Sequence, residues 1–419
     1  MTDNAMTGAA PAETAPAPAV AAPTASADTT TFAVILSLSF CHLLNDLMQS
    51  MVPALYPILK ENYALDFAQI GLITLAFQCT ASLLQPVVGI YTDRKPMPYS
   101  LTIGMSSTFA GLILMSMAHS YPAILLAAAM IGIGSAVFHP EASRIARMAS
   151  GGRHGLAQSL FQVGGNTGSA AGPLLAAFII VPRGQESIVW VSAAALVAMV
   201  VLVAVGSWYS RNRHLAKPKP RPAPGTAGYI ALSRGRIAFS IVILVLLMFS
   251  KTVYSNSLGS YYTFYLIEKF SLSVQEAQIA LFVFLGSIVV GTLSGGWVGD
   301  RIGRIPVMWF SILGVLPFTL ALPHVGLVAT LVLSIVIGFI MASAFSAIIV
   351  YAQDLLPGRV GMVAGIFFGV SFGLGGLGAA ALGKIADLTS IETVYQVCAF
   401  LPLFGLLIAF LPKLDRRHA

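Results

Sequence analysis

Asp46, Glu141, Arg144 and Lys251 interrupt stretches that are otherwise apolar. A charge held at mid-bilayer costs on the order of 3 kcal/mol, so a chain that keeps one there uses it to pair, to bind or to move an ion. His42 and Asp46 are four residues apart and share one helical face, which Gln49 continues. Burial raises a carboxyl pKa and a nearby cation lowers it, so a change of partner can load and unload a proton. Asp46 and Glu141 are therefore candidate proton carriers. His42 is a third, because an ordinary imidazole titrates near neutrality. Lys251, Tyr254, Leu258, Tyr261 and Tyr265 form one stripe at helical spacing. Phenol rings combine apolar area with a hydroxyl, so a stripe of one lysine and three tyrosines suits a small anionic or amphipathic organic solute. Asp46 is the expected resting partner of Lys251.

Gln49, Gln78, Gln162, Asn166 and Arg144 extend this candidate substrate surface over further helices. Hydrogen bonds that only hold a bundle together, worth ~0.6 kcal/mol each, are the competing use of the amides. Arg144 and Arg147 are equally open to a reading as topology signals. His139 and Glu141 are two apart and do not share a helix face, which argues against a metal pair. Cys41, Cys79 and Cys398 lack metal-ligand spacing and read as small core residues. No metal and no cofactor is expected.

The elements that must position these groups are membrane helices. Hydrophobic residues make up 57% of the 419 and charged residues 9%, against roughly a quarter in a soluble domain. Twelve apolar runs of ~20 residues are each long enough to cross the bilayer as a helix. They lack the alternation of a transmembrane barrel, so the predicted fold is an all-α membrane protein of twelve transmembrane helices in two six-helix repeats. The net charge of +7 does not point to nucleic acid, because 18 of the 23 Lys and Arg fall on one expected side. That bias places both termini in the cytoplasm.

The expected organisation is a disordered tail over 1–31, a six-helix half over 32–208, a cytoplasmic linker over 209–236, a second half over 237–411 and a tail over 412–419. The first tail lacks the basic start and apolar core of a signal peptide. The linker carries Lys217-Pro-Lys-Pro-Arg-Pro222, which denies it a packed core. Nothing in the sequence calls for a partner chain, and a monomer is expected.

The two halves repeat each other in order. Gly89-x-x-x-Asp93-Arg94 returns 207 residues later as Gly296-x-x-x-Asp300-Arg301, and Arg153-x-Gly155 returns as Arg359-x-Gly361. Parallel repeats of this kind read as a secondary transporter with its site between the halves. A glycine permits close approach, and Asp93, Arg94, Asp300, Arg301 and Arg304 can latch to a neighbouring helix end or to each other, closing the cytoplasmic side. Pro96-Met97-Pro98 replaces the later Gly and Arg of the first copy, so a weaker latch is expected there. Gly168-x-x-x-Gly172-Pro173 supplies small residues four apart, which let helices meet backbone to backbone.

The loop stretch resembles the signature of the major facilitator superfamily, and the Gly168–Pro173 stretch resembles a pattern of its drug–proton exporters. His42-Leu-Leu-Asn-Asp46, Phe138-His-Pro-Glu-Ala-Ser-Arg144, Gly151-Gly-Arg-His-Gly155 and Phe161-Gln-Val-Gly-Gly-Asn166 narrow this further. Together they resemble the fosmidomycin resistance protein family of bacterial inner-membrane exporters. The resemblance implies proton-driven export of a small phosphonate antibiotic. The competing transport reading is a proton-coupled uptake symporter for a small organic acid or sugar. An enzyme lacks a nucleophile–base constellation or phosphate loop to support it. Buried ionisable groups and repeated halves suit alternating access better than a passive channel.

Overall fold

The computed structural model describes residues 2, 30–65, 67–216 and 232–414, and most of the expected tails and much of the linker lie outside them. Among the described residues there is no strand. Twelve helical transits follow one another, six on each side of the linker. In the first half they are α1 (Phe32–Ala54), α2 (Phe67–Gln78 and Leu84–Arg94, joined through a wide turn at Cys79–Leu83), α3 (Ser100–Met117), α4 (Tyr121–Met148), α5 (His154–Leu175) and α6 (Ile188–Arg211). In the second they are α7 (Arg234–Phe270), α8 (Val274–Ile302), α9 (Arg304–Ile312 and Leu316–Ala321), α10 (Leu327–Ala342 and Ala344–Leu355), α11 (Val360–Leu388) and α12 (Ile391–Cys398, continued by Leu401–Phe410). Ten of these have the length and apolarity to cross a membrane among the described residues. Phe178, Trp190, Val200 and Val328 are all more than 70% exposed, which suits a lipid-facing surface.

Local sequence sets the ends. Ser273 and Glu276 form a reciprocal capping box that starts α8, and the Ser273 hydroxyl and backbone N–H hold the Glu276 carboxyl below its ordinary pKa. Gly303 turns the chain from α8 into α9 at φ 95°, a left-handed value that only glycine adopts without strain. In the first repeat the same corner is made by Lys95, which is extended as a residue before proline must be.

Glycines set how closely the helices approach. Gly164, Gly168 and Gly172 run along α5 against α1: an added Cβ would strike the carbonyl of Ser39, the carbonyl of Leu43 and the side chain of Ser50 in turn. The side chain of Pro173 lies outside the described residues. Gly168→Val is expected to destabilise the protein by about 1–3 kcal/mol through this overpacking. A lowered midpoint of thermal unfolding in detergent checks it. Between the halves, Gly89 of α2 abuts the backbone of Gly361 on α11, and Gly296 of α8 abuts Gly155 and Ser159 on α5.

Candidate functional site

Those two glycine contacts bring the loop carboxylates onto helix N-termini of the opposite half. Asp93 accepts from the backbone N–H groups of Gly361 and Met362, both at 2.9 Å. Asp300 accepts from Gly155 and Leu156 at 2.9 and 2.8 Å. The first turn of a helix offers unpaired N–H groups and a partial positive charge, which a carboxylate satisfies on both counts. Each half thus fastens the first turn of α5 or α11 in the other. The expected weakness of the first copy is not found: the Asp93 contact matches that of Asp300, because the Pro96-Met97-Pro98 departure lies beyond it.

The arginines of these loops divide. Arg94 is exposed. Arg301 lies 3.7 Å over the Trp297 ring of its own helix, outside the latch. Arg304 pairs with Asp354 at 2.9 Å, and Arg147 of α4 pairs with the same carboxylate across the halves while also donating to Gln353 at 3.0 Å. Arg147 is therefore more than a topology signal, and Asp354 is a residue the sequence reading missed. Ser159 and Ser346 meet at 2.8 Å beneath this layer, both buried.

Glu141 and Arg144 form a closed unit. Arg144 donates twice to Glu141, at 2.9 and 2.7 Å, and Ser100 donates once, at 3.0 Å. The guanidinium also lies over the Tyr209 ring. Arg144 was expected on the substrate surface, but its charge is spent inside the first half.

Asp46 and His42 do share a face of α1, and Asp46 gathers more polar groups than that helix supplies. Asn45 and Gln49 donate to Oδ1 at 3.0 and 3.2 Å, and Ser169 of α5 reaches Oδ2 at 3.4 Å. His42 Nε2 lies 3.4 Å from Oδ2, and His139 Nε2 of α4 lies 3.5 Å from Oδ1. His139 was considered only along its own helix, whereas its partners stand on α1. Gly165 makes room for the group, since an added Cβ there would sit 2.8 Å from Asp46 Oδ2.

Lys251 does not meet Asp46. Its ammonium donates to the carbonyl of Met341, where α10 breaks at Ser343. Ser311 donates to the carbonyls of Ile340 and Met341 at 2.7 and 2.9 Å and accepts from Ala344 N at 3.1 Å, so α7 and α9 together hold the break. Tyr254 and Tyr265 of the stripe are packed in the core of the second half, not on an open wall, with Tyr265 against Tyr395 at 4.4 Å. Tyr261 is half-buried beside them. Gln162 donates to Asn166 at 3.1 Å, and Asn166 donates to Thr292 of α8 at 3.2 Å, a polar chain from one half to the other. Gln78 is half-buried where α2 widens.

This arrangement agrees with what the chain is similar to. The sequence profile of the Major Facilitator Superfamily matches residues 38–379 and 243–419. The fosmidomycin resistance protein of Escherichia coli (strain K12) is 58% identical over 389 residues, 93% of this chain and 94% of that protein. The uncharacterized MFS-type transporter YfnC of Bacillus subtilis (strain 168) is 38% identical over 385 residues, 92% and 94% of the two chains. Among solved structures, the transporter FucP in its outward conformation superposes with a TM-score of 0.70 at 17% identity, covering 91% of this chain and 98% of that one. The proton:xylose symporter XylE gives 0.69 at 14% identity, covering 91% and 96%. Repeated halves, reciprocal loop contacts and sequence identity across nearly the whole chain agree: this multi-pass membrane protein belongs to the fosmidomycin resistance protein family of the Major Facilitator Superfamily.

Proposed function

We propose that this transporter exports fosmidomycin or a similar small anionic compound across the bacterial inner membrane, in exchange for protons, with both termini in the cytoplasm. The name of the relative at 58% identity supports the substrate, and the family resemblance supports the direction and the proton. Lys251 is the observation in the fold that carries the anionic class. Its ammonium is buried and donates to a neutral carbonyl, and the ion pairs among the described residues do not include it. A buried charge without a counter-charge favours an anionic ligand. The latches support alternating access: Asp93 and Asp300 join the halves on the side of the termini, and their release would open that side.

The test uses inside-out vesicles with an acidified lumen and a fluorescent pH probe. Fosmidomycin added outside is expected to drive protons out of the lumen, with accumulation of the compound inside. An uptake symporter run in reverse would carry protons in with its solute, so the sign of the pH change separates the two readings. Absence of any fosmidomycin-dependent pH change with the gradient intact would overturn proton exchange.

A further inference from the structure

The His42–Asp46–His139 group has a property that its individual members do not. His42 Nδ1 lies 2.8 Å from the carbonyl of Phe161, and His139 Nδ1 lies 3.0 Å from the carbonyl of Ser135. A carbonyl oxygen only accepts, so each Nδ1 carries the ring proton and each neutral imidazole presents the lone pair of Nε2 to Asp46. Three acceptor atoms therefore converge in a site where both histidines are fully buried and Asp46 is 7% exposed. His42 Nε2 has no hydrogen-bond partner there. Acceptors turned on one another repel, and a cation between them removes the conflict.

The spacing is wider than a shared proton sets. A proton shared between imidazole and carboxylate draws the heavy atoms to about 2.7–2.9 Å. His42 Nε2 lies 3.4 Å from Oδ2 and His139 Nε2 lies 3.5 Å from Oδ1, and one ligand atom from each of the three residues lies within 4.8 Å of the others. Small side-chain movements bring three such atoms to the roughly 3.3–3.6 Å edges of a tetrahedral ion bonded at about 2.0–2.2 Å. Each imidazole is also oriented by a carbonyl on its far nitrogen, the outer-shell arrangement that metal-binding histidines use. We propose that His42, Asp46 and His139 bind one divalent transition-metal ion, zinc by the two-imidazole, one-carboxylate donor set, and that the ion ties α1 to α4. Phe161 stacks on His42 at 4.1 Å, and Phe368 of α11 covers His139 at 5.0 Å, so the bound ion sits against the opposite half. Gln49 and Ser169, which donate to the carboxylate at 3.2 and 3.4 Å, stand beside the ligand atoms.

The site stands independently of the transported compound, and it is tested on tag-free, metal-stripped, full-length protein in detergent. Cobalt(II) titration is expected to give the visible absorption of a tetrahedral ion, saturating at one ion per chain and displaced by zinc. His42→Gln, Asp46→Asn and His139→Gln should each weaken binding by more than about 10-fold, while His119→Gln and His324→Gln leave it unchanged. His139→Cys, which keeps a ligand atom, should retain the ion and add a sulfur-to-cobalt band in the near ultraviolet. Absence of a saturable band in the wild-type protein overturns the site. So does a band of equal affinity in all three ligand variants, or a His139→Cys complex with no sulfur band.

Discussion

Asp300→Asn is expected to move the transporter toward the state open on the side of its termini by roughly 10- to 100-fold. The carboxylate takes two N–H groups from the first turn of α5. Asparagine keeps one acceptor oxygen and loses the charge, and a hydrogen bond to a charged group is worth about 1.5–3 kcal/mol. That energy, removed from the closed state alone, becomes the shift in population. Asp93→Asn should produce an effect of the same size, since its two contacts have the same geometry. The measurement is the rate at which a thiol at position 159, placed by Ser159→Cys in a chain without Cys41, Cys79 and Cys398, is labelled from the side of the termini. Ser159 is fully buried beneath the latch. The double variant should label faster than either single one, because both carboxylates act on one equilibrium. Wild-type labelling in an inserted Asp300→Asn protein would reduce the loop to a topology signal.

Lys251→Gln is expected to lower fosmidomycin export by at least about 10-fold while leaving the fold intact. A glutamine amide can still donate to the Met341 carbonyl, so the substitution removes the charge and spares the fastening of α10. A charge-assisted contact to an anion contributes about 1.5–3 kcal/mol, which sets the size of the loss. Lys251→Arg should restore part of the activity, because the planar guanidinium keeps the charge with a different donor geometry. Neutral solutes, where the protein binds any, should be little affected. Should Lys251→Gln export the anion at the wild-type rate, the ammonium serves only to hold the break in α10.

The repeat, the twelve-helix fold and the latch carboxylates were legible in the sequence because they are written as side chains at a constant displacement. What the carboxylates grip was not, since backbone N–H groups at the start of α5 and α11 leave no residue signature. The Arg153-x-Gly155 and Arg359-x-Gly361 repeat marked the place without showing its use. Helical spacing grouped Lys251 with its tyrosines as one face of a helix. It could not say which neighbour that face meets, and the pairing with Asp46 failed for that reason. Lys251 points instead to a carbonyl freed by a helix break, which again is a backbone event. His139 escaped because spacing compares residues along one helix, and the group it joins is assembled across α1 and α4. Glu141 and Arg144 were given separate roles, proton carrier and substrate contact, although their three-residue spacing already allowed the ion pair that satisfies both.

Arg147 and Gln353 carry a consequence of a different kind. The repeat beside them, Arg153-x-Gly155 and Arg359-x-Gly361, runs at a displacement of 206, so Arg147 and Gln353 are each other's counterparts, and Arg147 donates to Gln353 at 3.0 Å. A residue touches its own counterpart only where the rotation axis relating two copies passes through it. In a pair of identical six-helix chains that position would set arginine against arginine, and like charges there would repel. Joining the copies in one polypeptide lets the two positions diverge to a cation and a neutral acceptor. The contact on the axis is thus an interaction that no symmetric dimer could make, and its existence depends on the fusion of the halves.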